Sequence, residues 1–389
     1  MDIDARIERR RRRGSSPQLI QDYETLLPVV HINEPSGRGP VFEELLDHLD
    51  PVFDGRLPPN AYVCGPPGSG KSAIVTALFS RLSRLPTETQ SVIHTSTRAA
   101  TPISPEFVYV DRRETTSEFA FYHDVLDGLI DESVPEHGVS TDDLRSRLHD
   151  RLDDSLAGVV VAIDHVDESN ASNRLIDLLA GLPSKVSWIA IGRSDPEEAA
   201  VSAYTATTIR ITAHQRQMLV DVLMTRASEG LAQQALDHDL ARRIAEWADG
   251  DAHDALTALF IAADRAQGAN ADRITESDIE AAIETVPRPC VSLARVLTLP
   301  ANKQLVLRQL VDLDPEDRAT VTATTEAISS TDTVDLSTGT VKRFLYEMAE
   351  DGIVERVESD VHEGKGRPPS RIELRFPPSA FRRLYDLRR

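Results

Sequence analysis

Lysine is nearly absent from this 389-residue chain: five lysines stand against 38 arginines. Asp and Glu total 63, which leaves a formal net charge of −20. An acidic, lysine-poor surface stays hydrated and soluble in concentrated salt, where screening damps its self-repulsion. That composition points to a halophile, although a high-GC mesophile would be equally poor in lysine. Cysteine is scarce too. Cys64 and Cys290 stand alone, with no metal-like spacing, so neither a disulfide framework nor a zinc ribbon is expected. No apolar run approaches the ~20 residues that span a bilayer. The opening residues, Met1-Asp2-Ile3-Asp4-Ala5-Arg6, carry no apolar signal region. A soluble, cytoplasmic protein is expected.

The charge is unevenly placed. Residues 1–13 hold six arginines against three acids, and residues 361–389 hold eight basic residues against three acids. Basic ends on an acidic body suit contact with a polyanion. In strong salt such contacts lose counterion-release energy, so shape and base contacts must contribute more.

One motif dominates what is present. Gly65-Pro66-Pro67-Gly68-Ser69-Gly70-Lys71-Ser72 matches G-x-x-x-x-G-K-[ST] at every fixed position. It follows the apolar run Tyr62-Val63-Cys64 and precedes a helical pattern from Ala73, the strand–loop–helix context the motif requires. Backbone N–H groups of such a loop, together with a helix N-terminus, cradle phosphate oxygens. Lys71 is expected at the β/γ-phosphates of ATP or ADP, and Ser72 at Mg²⁺.

From about 40 to 212, strand and helix patterns alternate. Helices are expected over 41–49, 72–85 and 117–131, and strands over 61–64, 107–110, 159–163 and 187–191. The run Val159-Val160-Val161-Ala162-Ile163 suits a strand buried on both faces. The alternation argues a parallel α/β sheet. Helical segments follow over 214–228, 237–248, 251–267 and 275–284, until Val286-Pro287-Arg288-Pro289 breaks the pattern.

The tail then reads helix, helix, helix, hairpin, the order of a winged helix-turn-helix. Its third helix, capped by Ser337 or Thr338 and stopped by Gly352, is the one expected in a DNA major groove. Thr338, Thr340, Lys342 and Arg343 lie off its apolar face. Lys365, Arg367 and Arg371 mark the hairpin tip as a phosphate or minor-groove contact. Winged helices also serve as protein-contact modules. The expected organisation is a basic arm over 1–20, a nucleotide-binding base over 21–212, a helical lid over 213–288 and a winged helix over 289–389.

Asp164 closes the third strand run, where a magnesium-binding acid belongs in this kind of sheet. A glutamate would ordinarily follow and activate the attacking water. Here His165 follows, with Asp167 and Glu168 two and three positions further on. Neutral or cationic imidazole is no simple substitute for a carboxylate. Asp195 follows the 187–191 strand, where a polar residue senses the γ-phosphate. His253 opens a lid helix, where a phosphate-contacting arginine is usual; it is expected either to make that contact weakly or simply to cap the helix.

These pieces, in this order, resemble the archaeal Orc1/Cdc6 replication-initiator family of AAA+ ATPases, over nearly the whole chain. The matching segments are the phosphate loop, Val108-Tyr109-Val110-Asp111-Arg112-Arg113 with Thr116, Ala162-Ile163-Asp164-His165-Val166-Asp167, Ile189 through Asp195, Gly250 through Leu256 and the winged-helix tail. The resemblance implies an AAA+ parallel-sheet domain with a lid, and ATP/ADP with Mg²⁺ as cofactors. It implies recognition of double-stranded origin DNA, recruitment of the replicative helicase and a nucleoid-associated location. Self-association on DNA is a further expectation, and the family's DNA-gripping insertion helix would fall near 116–131. The departures are His165 for the family's glutamate, Asp195 for its asparagine, His253 for its lid arginine, and Val201-Ser202-Ala203 where an arginine finger is expected. Together they imply a divergent, haloarchaeal-looking paralogue that binds nucleotide and hydrolyses it poorly. A DNA-binding regulator that has lost initiation, and an efficient ATPase loading helicase or clamp, are the alternatives.

Overall fold

A computed structural model describes residues 18–30, 37–84, 104–115, 117–130, 132–167, 172–359 and 369–387. The basic arm up to residue 17, Thr116, Glu168, Lys365 and Arg367 lie outside the described residues. The chain divides into two compact units, His31–Met218 and a second built from Met1–Val30 with Leu219–Arg389.

The first unit is organised on a five-stranded parallel sheet. Its strands are β1 (Ala61–Cys64), β2 (Glu106–Asp111), β3 (Val159–Asp164), β4 (Val186–Gly192) and β5 (Thr207–Arg210), in spatial order β2-β3-β4-β1-β5. Every residue of β3 is buried. Its alternate side chains serve two cores: Val159, Val161 and Ile163 face one, Val160 and Ala162 the other. Helices α1 (Gly39–Leu49) and α2 (Lys71–Leu82) supply the second core. On the opposite face lie α3 (Glu118–Asp127), α4 (Thr141–Asp154) and α5 (Ser172–Ala180). Ser117 caps α3 by accepting the Ala120 N–H. That helix ends at Gly128, earlier than the expected residue 131, although Leu129 is still buried beyond it. α4 has a full capping box between Ser140 and Asp143 and buries Leu144, Leu148 and Leu152.

The four lid helices are α6 (Arg216–Gly230), which belongs to the second unit from Leu219 on, α7 (His238–Ala248), α8 (Ala252–Gly268) and α9 (Glu276–Thr285). Leu19 and Ile20 pack into the same core, and the Arg226 guanidinium ties down the chain through the carbonyls of Thr25 and Val30. Beyond the lid come α10 (Leu293–Leu297), α11 (Ala301–Asp312), α12 (Val321–Ser329), α13 (Thr338–Glu350), the antiparallel pair β6 (Val354–Glu358) and β7 (Ser370–Leu374), and α14 (Pro378–Leu387). Ser337 caps α13 through the Thr340 N–H. Lid and tail share one continuous buried cluster that runs from Phe260 through Leu310 to Phe381. The boundary expected at 288–289 is therefore a change of architecture inside one compact unit.

Candidate nucleotide-binding site

The loop from Gly65 to Ser72 runs from the carboxyl end of β1 into α2. Gly65 has φ +156°, and a Cβ there would collide with the Ile211 carbonyl oxygen, so only glycine fits. Ser69 is fully buried, and Gly70, at φ +86°, is the N-cap of α2. Lys71 is 8% exposed. Its ammonium donates to the carbonyls of Gly65 and Pro66, both at 2.7 Å, and to Ser69 Oγ at 3.3 Å. Burial lowers its pKa to about 8, Arg193 adds to that shift, and Asp164 and Asp167 oppose it.

Asp164 ends β3 and is buried. Its Oδ1 accepts the His165 N–H at 2.6 Å, and the Tyr109 phenol donates to Oδ2. Parallel pairing sets Asp111 directly beside Asp164. Burial and the Asp164 charge raise the Tyr109 pKa, so the phenol keeps its proton. With its hard oxygen donors, the pair Ser72 and Asp164 suits Mg²⁺.

His165 stands at φ +59°, a left-handed backbone in which histidine is less disfavoured than most residues. Its Nε2 lies 3.6 Å from Asp164 Oδ2. Asp167 is not left over as a replacement base. Its carboxylate accepts the backbone N–H groups of Arg193 and Ser194, the latter at 3.1 Å. Tyr62 donates to the Ser194 carbonyl at 2.9 Å. Asp167 therefore ties the turn after β3 to the turn after β4.

Asp195, expected as the γ-phosphate sensor, has a mostly exposed carboxylate paired with Arg210 at 2.6 Å. Arg193 is the first residue past β4, and the pairing of Cys64 with Gly192 brings it beside the start of the phosphate loop. Sequence alone does not mark Arg193, because the end of β4 is fixed by its pairing with β1. Nor does it mark Tyr109, whose contact with Asp164 needs a neighbouring strand.

His253 sits in the first turn of α8. Its Nε2 accepts the Leu293 N–H at 3.3 Å, and its Nδ1 is 3.7 Å from Asp254 Oδ1. Cys290 joins them, with ligand atoms of the three residues within 4.8 Å of one another. Burial and the nearby Asp254 and Asp251 push the Cys290 thiol up, so it keeps its proton. Sequence spacing gave no hint of this cluster, because 36 residues separate its parts.

On α13, Thr338, Lys342 and Arg343 are exposed and Thr340 is half-buried. Arg343 pairs with Glu347 at 3.6 Å, and Lys342 lies over the Tyr346 ring at 5.8 Å. Arg371 departs from its expected place at the hairpin tip. It lies within β7, opposite Val357, and pairs with Glu373 at 2.8 Å. Arg356 on β6, unnoticed in the sequence, also lies over the Tyr346 ring, at 4.3 Å.

Two family models match the chain: an AAA ATPase domain over residues 34–189 and a Cdc6 AAA+ ATPase-type lid domain over residues 220–284. An ORC1-type DNA replication protein 1 of Sulfurisphaera tokodaii is 26% identical over 328 residues, covering 79% of this chain and 77% of the relative. An ORC1-type DNA replication protein 6 of Halobacterium salinarum is 24% identical, covering 70% of this chain and 72% of the relative. The chain belongs to the Orc1/Cdc6 family of AAA+ proteins. This Orc1/Cdc6 chain shares its fold with the Aeropyrum pernix ORC1 protein, solved in complex with DNA, at a TM-score of 0.63 and 22% identity over 95% of this chain and 97% of that one. Cdc6p from Pyrobaculum aerophilum aligns at a TM-score of 0.52 and 18% identity, over 95% and 99%. The AAA+ parallel sheet with a helical lid is the common architecture.

Proposed function

We propose that this Orc1/Cdc6 chain is an ATP- and DNA-binding replication initiator that hydrolyses ATP slowly. The observation that carries the nucleotide half is Lys71, buried in a complete phosphate loop with a partly neutral amine. Nothing in an ordinary turn requires a lysine there. When bound, Mg²⁺ would supply charge neutralisation of the β- and γ-phosphates; Ser72 and Asp164 are the residues to hold it. Lys71 leaves the loop carbonyls and turns its ammonium to the phosphates. Arg193 is better placed than Asp195 for the terminal phosphate, and His253 is a lid contact of secondary weight.

Slow turnover follows from what stands near Asp164. A water-activating carboxylate is replaced by His165, and the Asp167 carboxylate is already engaged by two backbone amides. A general base contributes about 10²–10⁴ in rate, so its loss alone gives a protein that holds ATP.

DNA recognition is assigned to α13, with Thr338, Thr340, Lys342 and Arg343 facing the major groove and Arg356 beside them. Lys365 and Arg367 act on phosphates, and Arg371 supports the hairpin through Glu373. The relatives' names carry replication, and one solved relative is bound to DNA. Origin DNA is the proposed partner, with recruitment of the replicative helicase and self-association on DNA as further steps.

The deciding experiment maps DNA occupancy of the tagged protein across its source genome. A few sharp peaks over AT-rich repeats beside its own gene would establish an initiator. Scattered promoter peaks would overturn that in favour of a regulator.

A further inference from the structure

Arg38 is an arginine in an unusual setting. It lies just before α1 and is only 4% exposed. Its Nη2 donates to the Ser69 carbonyl of the phosphate loop at 2.6 Å. Its Nε is buried with no hydrogen-bond partner, and no carboxylate pairs with it among the described residues. A buried cation is ordinarily matched by an anion, because leaving water costs it far more than one carbonyl contact returns. Among the described residues no acid stabilises the charged guanidinium, and burial shifts its pKa downward.

His214 stands on the same loop. Its Nε2 is 3.5 Å from where a Cβ on Gly70 would lie. Burial, and then the Arg38 charge, lower its pKa to about 4, so the ring is neutral at any working pH. His214 therefore adds no positive charge beside Arg38. Gly37 packs on Met218, with the place of a Cβ only 2.8 Å from Met218 Cε. The segments 37–38 and 214–218 therefore meet each other beside the loop, and each places a residue on it.

We propose that Arg38 is a second cation of the nucleotide site, a positioning residue that acts on the phosphate loop from behind and whose counter-charge is the bound polyphosphate. The inference rests on the nucleotide reading above. Loop carbonyls point away from the phosphates when the N–H groups point toward them. By gripping the Ser69 carbonyl, Arg38 holds that orientation. Its charge then acts through a buried, weakly screened path and grows in effect with each phosphate added. The nucleotide-free protein bears an uncompensated charge, and the complex does not.

The test compares the full chain with Arg38→Met, Arg38→Lys and Lys71→Ala in molar potassium chloride. Calorimetry gives affinities for ATP, ADP and adenosine, and thermal unfolding is followed without nucleotide. Arg38→Met is expected to weaken ATP by about tenfold, ADP by less and adenosine not at all. Its nucleotide-free melting temperature should hold or rise, since a buried unpaired charge has been replaced by an apolar chain. Arg38→Lys should keep the ranking of the three ligands. The His214 C–H resonance should titrate at a higher pH in Arg38→Met than in the unchanged protein. Equal weakening of all three ligands together with a lower melting temperature would overturn the proposal, because that is the mark of a structural residue. Lys71-dependent binding that Arg38→Met leaves intact would overturn it alone. No Lys71-dependent binding in the unchanged protein would overturn the nucleotide reading, and this inference with it.

Discussion

Tyr109 donates its phenol proton to Oδ2 of Asp164, from the adjacent strand and from a position two residues short of the register partner. With the His165 N–H on Oδ1, both carboxylate oxygens are held by the protein. Partners of a metal-binding carboxylate commonly shift metal affinity by 10–100-fold. Tyr109→Phe should therefore raise the magnesium concentration for half-maximal ATP binding about tenfold, with magnesium-free binding little changed. An unchanged magnesium titration would reduce the phenol to packing.

Lys71 predicts a pH dependence. Its pKa is about 8 in the nucleotide-free protein, below the ordinary lysine value of 10.5. Bound phosphates favour the charged amine and raise that value. ATP affinity should be flat below about pH 8 and fall as pH rises above it, by up to tenfold per unit. The nucleotide-free fold should gain stability over the same rise, because the unfolded chain binds more protons there. Affinity measured from pH 7 to 9.5 in the unchanged protein and in Lys71→Ala checks both the direction and the source.

His165→Glu should not restore vigorous hydrolysis. The position has φ +59°, which suits glutamate less well than histidine, and the left-handed backbone re-aims the side chain. Single-turnover ATP hydrolysis should rise by less than about tenfold. A gain of 10²–10⁴ would mean that only the base was missing.

Gly192→Ala should break the link between the turns after β3 and β4. An added Cβ would strike the Asp167 carboxylate and lie 2.6 Å from the Tyr62 hydroxyl. Asp167 would have to release the Arg193 and Ser194 amides. A loss of about 1–3 kcal/mol is expected, the cost of leaving such groups unsatisfied. Thermal unfolding with and without ATP would show it, with the larger effect in the presence of ATP.

Arg343 and Lys342 separate two kinds of DNA contact. If Arg343 reads a guanine, Arg343→Ala should weaken the preferred site by about 1–3 kcal/mol and leave random DNA nearly unaffected. Lys342→Ala should lower affinity for all sequences alike. Competition binding in molar salt distinguishes the patterns. If neither variant changes binding, α13 is not the DNA reader.

Some of this molecule was legible because its signal is local. β1 falls on the expected residues 61–64, and the phosphate loop follows from adjacent residues alone. The β3 run is apolar at every position because both faces of a central strand are covered. Other elements were hidden. α4 is so heavily charged that its three core leucines, Leu144, Leu148 and Leu152, are easy to pass over. β5 buries only Ile209 among four residues, as an edge strand can.

The sequence by itself determined the nucleotide loop, the order of strand and helix, and the absence of a glutamate after Asp164, since each depends on residues a few positions apart. The tertiary structure decided which strands are neighbours. It thereby put Tyr109 on Asp164, paired Asp195 with Arg210, and occupied Asp167 with backbone amides. It also set Arg38 against Ser69, 31 residues away, with no acid to match it among the described residues. Charge compensation and hydrogen-bond satisfaction are properties of a place in space, and that place exists only once the sheet has assembled.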